Sequence, residues 1–205
     1  MTQHEDQPRG HAHRDRHGAK QPERFDPAKA ALLDDPARFD YMPPDKLIEF
    51  LDAPGNSRVI DFGAGTGTFA IELARRRPDL EVIAFDEQPE MLDMLRAKPA
   101  ARSLSNLRPV LPGEMQLESS ADRIVALNVL HELGDDALME LAGMLKRGGA
   151  ALFVDWRADI ERPVGPPRDH VYRPAEARRR VEGVKLRATE RPPLEYHYVL
   201  VATKA

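Results

Sequence analysis

Hydrophobic and polar residues alternate along the chain with two different spacings, and these spacings predict strands and helices in turn. Runs of β-branched and aromatic residues predict five strands: Val59–Phe62, Glu81–Phe85, Leu107–Leu111, Asp122–Leu127 and Ala150–Asp155. Between strands, apolar residues recur every three or four positions, as at Met91, Leu92 and Leu95, which is typical of an amphipathic helix. A further helix is predicted over Asp135–Lys146, ended by Gly148. This alternation is typical of an α/β protein with a mostly parallel sheet and helices on both faces.

Two features predict which strands lie near the sheet edges. Pro109 has no amide hydrogen to donate to a neighbouring strand, so its strand is expected at an edge. After a helix predicted over Pro174–Glu182, two β-rich runs, Val184–Thr189 and Tyr196–Thr203, have only the turn at Pro192–Pro193 between them. Two strands joined without a helix pair as an antiparallel hairpin, so the sheet is expected to finish with one.

Three segments are predicted from the local composition. Residues 1–24 contain almost no large apolar side chain and are expected to form a disordered, His-rich tail. Its histidines could alternatively form a loose metal-binding tract: His4, His11, His13 and His17. Residues 25–55 are expected to form a helical cap, with one helix opening at Pro27 and another over Pro44–Leu51. Residues 56–205 are then the main domain.

Composition and charge narrow the class of protein. The chain has 205 residues, 41% hydrophobic and 31% charged, as in a globular domain. It has no cysteine, which excludes disulfides and a cysteine nucleophile and suits a cytoplasmic location. No apolar run approaches the roughly 20 residues of a membrane helix, and no secretory signal is recognised, so no membrane partner is expected. The net charge of −4 has the wrong sign for binding nucleic acid by charge, so no nucleic acid is expected either.

The distribution of charge leaves two interpretations open. Residues 110–145 are strongly acidic, whereas residues 157–191 are rich in Lys and Arg. In one interpretation, both segments form solvent-exposed faces of opposite charge. In the other, the basic segment forms a rim around an anionic substrate.

A glycine cluster follows the first predicted strand and indicates a ligand site. In the run Asp61-Phe62-Gly63-Ala64-Gly65-Thr66-Gly67, small residues suit a tight strand-to-helix turn, whose amides are expected to bind an anionic group. Asp86 stands at the carboxyl end of the second strand, where a carboxylate accepts the two hydroxyls of a ribose. Together these features predict a nucleoside-containing ligand.

Two ligands fit this pattern. Gly65–Ala70 satisfies G-x-G-x-x-A, the pattern of dinucleotide-binding proteins. Asp61, however, is a poor neighbour for a pyrophosphate and a good one for the ammonium of an amino acid. A ligand with both a ribose and a zwitterionic amino acid is S-adenosylmethionine.

At these residues the chain resembles the class I S-adenosylmethionine-dependent methyltransferases, especially the branch of ubiquinone- and menaquinone-type C-methyltransferases. Four segments carry the resemblance: Val59–Phe69, Phe85–Leu92, Asp122–Leu133 and Leu145–Trp156. The resemblance implies a Rossmann-like sheet of seven strands in the order 3-2-1-4-5-7-6, with strand seven antiparallel. It also implies S-adenosyl-L-methionine as cofactor.

The resemblance further implies roles for individual residues. The implied cofactor-binding residues are Asp61, Gly63, Gly65, Gly67, Asp86, Glu87, Gln88, Glu114 and Asn128. Asp61 and Gly63 would face the methionine portion, and Asp86 would hold the ribose. Asn128 would line the sulfonium side, and Glu114 is the nearest match for an acid that contacts adenine.

Candidates for catalysis and substrate binding lie after the fourth and fifth strands and in the cap. His131 follows strand four and is a candidate general base, or else it orders its loop together with Glu132. The candidate substrate contacts are Tyr41, Trp156, Arg157, His170 and Tyr172. Tyr41 and Trp156 could instead simply pack together, and His197 is expected to be structural. No resident metal is predicted.

The sequence therefore predicts an S-adenosylmethionine-dependent methyltransferase that acts on a small-molecule acceptor by in-line methyl transfer. Two alternatives remain: a catalytically silent cofactor-binding regulatory protein and an NAD-dependent oxidoreductase. Cysteine-dependent cytosine C5 and arsenic methylation are excluded. Amino methylation of adenine is disfavoured because Asn128–His131 lacks the Pro-Pro-aromatic motif.

Overall fold

A computed structural model describes residues 25–205, which form a seven-stranded sheet with the order β3-β2-β1-β4-β5-β7-β6. The strands are β1 Arg58–Phe62, β2 Glu81–Phe85, β3 Leu107–Val110, β4 Ala121–Leu127, β5 Leu145–Trp156, β6 Leu186–Arg191 and β7 His197–Lys204. The first five strands are parallel, and β7 is antiparallel to both β5 and β6. The strand order and the terminal hairpin predicted above are confirmed.

Helices cover both faces of the sheet. They are α1 Arg38–Tyr41, α2 Pro44–Leu51, α3 Thr68–Arg76, α4 Pro89–Ala97, α5 Pro99–Arg102, α6 Asp135–Met144 and α7 Pro174–Gly183. One core contains side chains of α2, α3 and α4 packed on one face of the sheet, and the other contains those of α6 and α7 on the opposite face. Strand residues alternate between the two cores, as with Val59 and Ile60, because successive side chains point to opposite faces.

Pro109 lies in β3, which forms an edge of the sheet, as predicted. It pairs with Ala84 of β2 on one side, and its missing amide hydrogen removes no bond on the other. The connection from β3 to β4, residues 111–120, contains turns and no helix.

The boundary between α6 and β5 differs from the prediction. The helix ends at Met144, and Leu145 already pairs with Ala121, so β5 starts five residues earlier than Ala150. The Lys204 side chain explains this early end because its Nζ donates to the carbonyls of Ala142 (2.9 Å), Gly143 (3.3 Å) and Leu145 (2.8 Å). A cation there satisfies carbonyl groups that lack helical partners.

The segment before the first strand is attached to the rest by polar contacts. A 3₁₀-helix spans Pro27–Asp34, and the Asp34 carboxylate accepts from the hydroxyls of Thr66 and Thr68 (both 2.6 Å) and from Lys98 Nζ (2.6 Å). These bonds hold the segment against the start of α3.

The predicted disordered tail, with its four histidines, lies outside the described residues. From residue 25 to residue 205, no helix is both long and apolar enough to cross a membrane.

Candidate active site

A large cleft opens at the carboxyl ends of β1, β2, β4 and β5, where ligands bind in open α/β sheets. Its volume is about 2080 Å³. A pocket for one drug-sized molecule has a volume of roughly 300–1,000 Å³. The cleft therefore has room for a nucleoside-containing ligand and a second small molecule. It contains most of the predicted site residues: Tyr41, Asp61, Gly63, Gly65, Asp86, Glu87, Gln88, Asn128, His131, Trp156, His170 and Tyr172.

The glycine turn is built differently from the prediction. The amides of Gly63 and Ala64 both donate to the carbonyl of Phe85 (2.9 and 3.0 Å), and the amide of Gly65 donates to the Asp86 carboxylate (2.7 Å). Protein acceptors engage these amides here, which leaves less capacity for a ligand carboxylate, and the roles of Gly63 and Gly65 in cofactor binding stay predictions. The turn instead ties the end of β1 to the end of β2 and so fixes Asp86.

Gly67 lines no part of the cleft. Its φ is +74°, and a Cβ at this position would lie 2.3 Å from Leu95 Cδ1. Gly67 thus allows α3 to start against α4, which is a packing role in place of the predicted cofactor contact.

Asp61 and Asp86 are buried acids at the ends of adjacent strands. Burial and, to a lesser extent, the neighbouring Asp86 carboxylate raise the pKa of Asp61, Arg38 and the Ala70 amide lower it, and the net result is a pKa of about 7. Burial also raises the pKa of Asp86, against the amides of Gln88 and Gly65. Two desolvated carboxyls side by side are costly unless a cationic or hydrogen-donating ligand joins them.

Asn128 combines an unusual backbone conformation with a side-chain oxygen that has no hydrogen-bond partner among the described residues. Its φ is +56°, in the left-handed region that non-glycine residues rarely adopt. The side-chain Nδ2 approaches Met42 Sδ at 3.5 Å, while Oδ1 is buried and has no hydrogen-bond partner among the described residues. An unpartnered buried acceptor beside a cleft is suited to a ligand N–H.

Arg38 is a site residue that the sequence analysis missed. It lies in α1, lines the cleft and donates from Nη1 to the carbonyl of Leu33 (3.0 Å). Burial lowers the pKa of its guanidinium, and the charges of Tyr41, Asp34 and Asp61 raise it. No motif marks this arginine, since its place beside Asp61 depends on how the cap packs.

Three further residues were predicted to bind the nucleoside part of the cofactor, and the structure places two of them in the cleft and one outside it: Glu87, Gln88 and Glu114. Gln88 lines the cleft and its amide donates to Asp86 Oδ1 (2.9 Å), and Glu87 lines the cleft beside it. Glu114 lies outside the cleft: its carboxylate accepts the Leu111 amide (2.8 Å). The tight turn folds this carboxylate back toward Leu111, a position that does not favour the predicted contact with adenine, and that contact stays a prediction.

His131 is held by an acid that the sequence analysis did not single out. His131 Nδ1 lies 2.8 Å from Asp155 Oδ1, and the His131 amide donates to Asp155 Oδ2 (3.0 Å). Asp155 is fully buried at the end of β5, and His131 lines the cleft. An acid at the end of an otherwise apolar strand was the available signal for this pair.

Aromatic rings form one side of the cleft. The Tyr41 ring lies 5.7 Å from the Trp156 ring and 5.7 Å from the stacked His197 ring, centroid to centroid. Burial lowers the pKa of His197 to about 3, so it is neutral and structural. Tyr172 lies under the Arg180 guanidinium at 5.7 Å. This wall suits a flat or apolar ligand surface.

Arg157 is not part of the cleft. Its guanidinium pairs with Asp159 at 2.9 Å, and its backbone amide bonds to Tyr196. This position does not favour the substrate contact predicted for Arg157, which stays a prediction.

Of the basic residues after β5, Arg179 and Arg180 line the cleft. Within residues 25–205, no group of three or more His, Asp or Glu side chains is arranged to hold a metal ion.

Residues 59–149 match the family model described as "Methyltransferase domain". This part of the chain is therefore similar to a methyltransferase domain. A crystal structure of a SAM dependent methyltransferase from Aquifex aeolicus is similar to it, with a TM-score of 0.80 and 27% sequence identity. The match covers 87% of this chain and 98% of that chain. The predicted Rossmann-like fold, with seven strands in the order 3-2-1-4-5-7-6, is confirmed by this likeness and by the sheet itself.

Two curated relatives are similar over shorter stretches. Demethylmenaquinone methyltransferase of Deinococcus radiodurans is 50% identical over 48 residues, which is 23% of this chain and 20% of that protein. A methyltransferase of Mycobacterium bovis, named as uncharacterized, is 34% identical over 121 residues, 58% of this chain and 47% of that protein. The chain thus spans less than half the length of these relatives.

Proposed function

We propose that the protein is an S-adenosylmethionine-dependent methyltransferase acting on a small-molecule acceptor by in-line methyl transfer. The observation that carries this proposal is the pair of buried acids, Asp61 and Asp86, at neighbouring strand ends beside the unpartnered Oδ1 of Asn128. The pair needs a ligand with one cationic group and one group rich in hydroxyls. The methyltransferase domain match and the Aquifex structure support the same assignment.

The cleft residues fit each part of S-adenosylmethionine. Asp61 and Asn128 Oδ1 would accept from the ammonium, and Arg38 would hold the carboxylate in place of the engaged glycine amides. The Asp86 carboxylate accepts the amides of Gly65 and Gln88 and keeps lone-pair capacity for a ribose hydroxyl. When bound, this donor supplies an electrophilic methyl group on a sulfonium.

The dinucleotide alternative is disfavoured by the same geometry. A pyrophosphate needs free amides at the glycine turn, yet Gly63, Ala64 and Gly65 donate to protein acceptors. The pyrophosphate would also lie beside the Asp61 carboxylate. Two neighbouring negative charges repel each other, so this position disfavours a pyrophosphate. We therefore assign the cleft beside Asp61 to a zwitterionic ligand.

The acceptor half of the cleft supports a small partly apolar molecule. Trp156 and Tyr41 form its aromatic side, and three exposed apolar side chains line the cleft: Leu32, Met139 and Val164. The short match to demethylmenaquinone methyltransferase supports a quinone-type molecule as one acceptor class, and the C-methyltransferase branch itself stays a prediction. A cytoplasmic location and the absence of a nucleic-acid partner stay predictions.

Methyl transfer is tested with S-adenosylmethionine labelled in the methyl group and a panel of quinols, phenols, alcohols and carboxylic acids. We expect label in at least one acceptor, and no competition from NAD⁺. Strong competition by NAD⁺ would favour the oxidoreductase alternative. S-adenosylhomocysteine binding with persistent lack of label in every acceptor would favour the silent cofactor-binding protein.

A further inference from the structure

The strongest unexplained geometry in the cleft is the contact between His131 and Asp155. The Asp155 carboxylate is fully buried, and its two oxygens lie 2.8 and 3.0 Å from His131 Nδ1. The amides of His131 and Trp156 also donate to this carboxylate, at 3.0 and 2.7 Å. Four contacts to one acid fix both the acid and the imidazole ring, which is only 6% exposed.

This arrangement determines which ring nitrogen is available. A carboxylate beside Nδ1 favours the tautomer that carries its proton on Nδ1, so Nε2 keeps its lone pair. Nε2 lies 3.5 Å from Glu132 Oε1, too far for a good hydrogen bond. Glu132 is itself engaged, because its Oε2 accepts the Phe25 amide at 3.2 Å. The imidazole nitrogen is thus a better base toward the cleft than the neighbouring carboxylate.

The charged groups around the imidazole act in opposite directions. Burial lowers the pKa of His131, Asp155 of β5 and Glu132 raise it, and Arg162 from the loop after β5 lowers it, with a net rise. Three further titratable side chains act electrostatically with Asp155: Tyr172, His197 and Tyr198. The His131 base is therefore stronger than a free imidazole, and it is available once the pH exceeds its raised pKa.

We propose that His131 is the general base of the reaction, that Asp155 is its positioning residue, and that the acceptor presents a hydroxyl group. This inference rests on the proposed function. The acceptor oxygen forms a bond to the methyl carbon, the carbon–sulfur bond breaks with its electron pair returning to sulfur, and the hydroxyl proton moves to His131 Nε2. The imidazolium then releases that proton to water, which balances the neutral methyl ether and thioether products.

A base serves an acceptor that must lose a proton, and a hydroxyl group meets that condition. A carboxylate acceptor is already ionised at neutral pH and requires no proton acceptor, whereas an alcohol or phenol is neutral. A buried acid that orients a histidine is costly to maintain without such a need. The same logic makes hydroxybenzoates useful probes, since each carries one group of each kind.

The tautomer is tested on the unmodified full-length chain with S-adenosylhomocysteine added. Ring ¹⁵N spectra across pH 5 to 9 should show His131 with a proton on Nδ1 and none on Nε2 at the upper end. The Asp155→Asn variant should lose this preference and titrate at lower pH. A neutral imidazole with its proton on Nε2, or an imidazole that stays charged from pH 5 to pH 9, overturns the proposal.

Methyl transfer to 2-, 3- and 4-hydroxybenzoate tests the chemistry, because a methyl ether and a methyl ester are distinguished by mass spectrometry. We expect ethers, with kcat rising with pH to a plateau. His131→Ala should lower kcat by about 100-fold or more, and Asp155→Asn should lower it at least tenfold and shift the profile. The matched control Asp159→Asn, an exposed acid outside the cleft, should leave the profile unchanged.

Two results separate this inference from the proposed function. Binding of S-adenosylhomocysteine with esters as the only products, or with no hydroxyl methylation of any probe, contradicts the roles of His131 and Asp155 alone. Failure to bind S-adenosylhomocysteine contradicts the proposed function itself. Affinity for S-adenosylhomocysteine should change less than threefold in His131→Ala, so a large loss there would point to a structural role.

Discussion

Individual residues in the cleft carry charges that a folded protein rarely buries without a partner. Asp61 is 3% exposed and Asp86 6% exposed, and they stand on adjacent strands. A carboxyl group whose pKa is raised by folding favours the folded state at low pH, and this stabilisation is lost as the pH rises. The ligand-free protein should therefore lose stability between about pH 4 and pH 7 through Asp61.

The same titration predicts how cofactor affinity depends on pH. The ammonium group needs an ionised Asp61, whose pKa is about 7 in the ligand-free protein. Calorimetric affinity for S-adenosylhomocysteine should thus rise by up to about tenfold from pH 6 to pH 8. Asp61→Asn should bind weakly and show no such rise. A flat profile in the unmodified protein would contradict the assigned ammonium contact.

Gly67 is predicted to matter for stability more than for binding. Gly67→Ala places a Cβ 2.3 Å from Leu95 Cδ1 at a φ of +74°. We expect a loss of about 2–3 kcal/mol in the free energy of unfolding, measured by urea denaturation. Gly143→Ala is the matched control: it lies inside α6 with open space around it, and should be neutral or stabilising by up to about 1 kcal/mol. Equal effects of the two changes would refute the packing role.

Among the elements, α6 depends on a residue from the far end of the chain. The Lys204 side chain donates hydrogen bonds to three carbonyl groups at the carboxyl end of α6. Lys204→Met keeps the aliphatic stem and removes the donors, and should lower the free energy of unfolding by about 1–2 kcal/mol. Lys46→Met removes an exposed ion pair with Glu49 and should cost less than about 0.5 kcal/mol. A smaller loss for Lys204→Met than for Lys46→Met would count against this account of α6.

The predictability of each element followed from where its determining contacts lie. The bounds of β2 were predicted without error and those of β1 within one residue, because their apolar runs are bracketed by polar turns. The end of α6 was misplaced, since Lys204 and the pairing of Leu145 with Ala121 are long-range contacts with no local signal. Pro109 was placed correctly because the missing amide is a property of the residue itself.

On the scale of the whole molecule, parallel strand ends bring the predicted site together. Asp61 lies near the end of β1, and Asp86 and Asn128 directly follow β2 and β4, so the sheet order collects them in one cleft. Arg38 and Asp155 were not predicted as site residues. The position of Arg38 in the cleft depends on how the cap packs, and in the sequence Asp155 only marks the end of a predicted strand. Glu114 and Arg157 were predicted from position along the chain, but nearby acceptors and acids turn their side chains elsewhere.

The most direct measurement of the central claim is a calorimetric titration of S-adenosylhomocysteine into the full chain and two variants. The unmodified protein should bind it, Asp86→Ala should bind at least about tenfold more weakly, and Glu114→Ala, outside the cleft, should bind as the unmodified protein does. Binding that survives loss of Asp86, or that fails in the unmodified chain while NAD⁺ binds, would contradict the account.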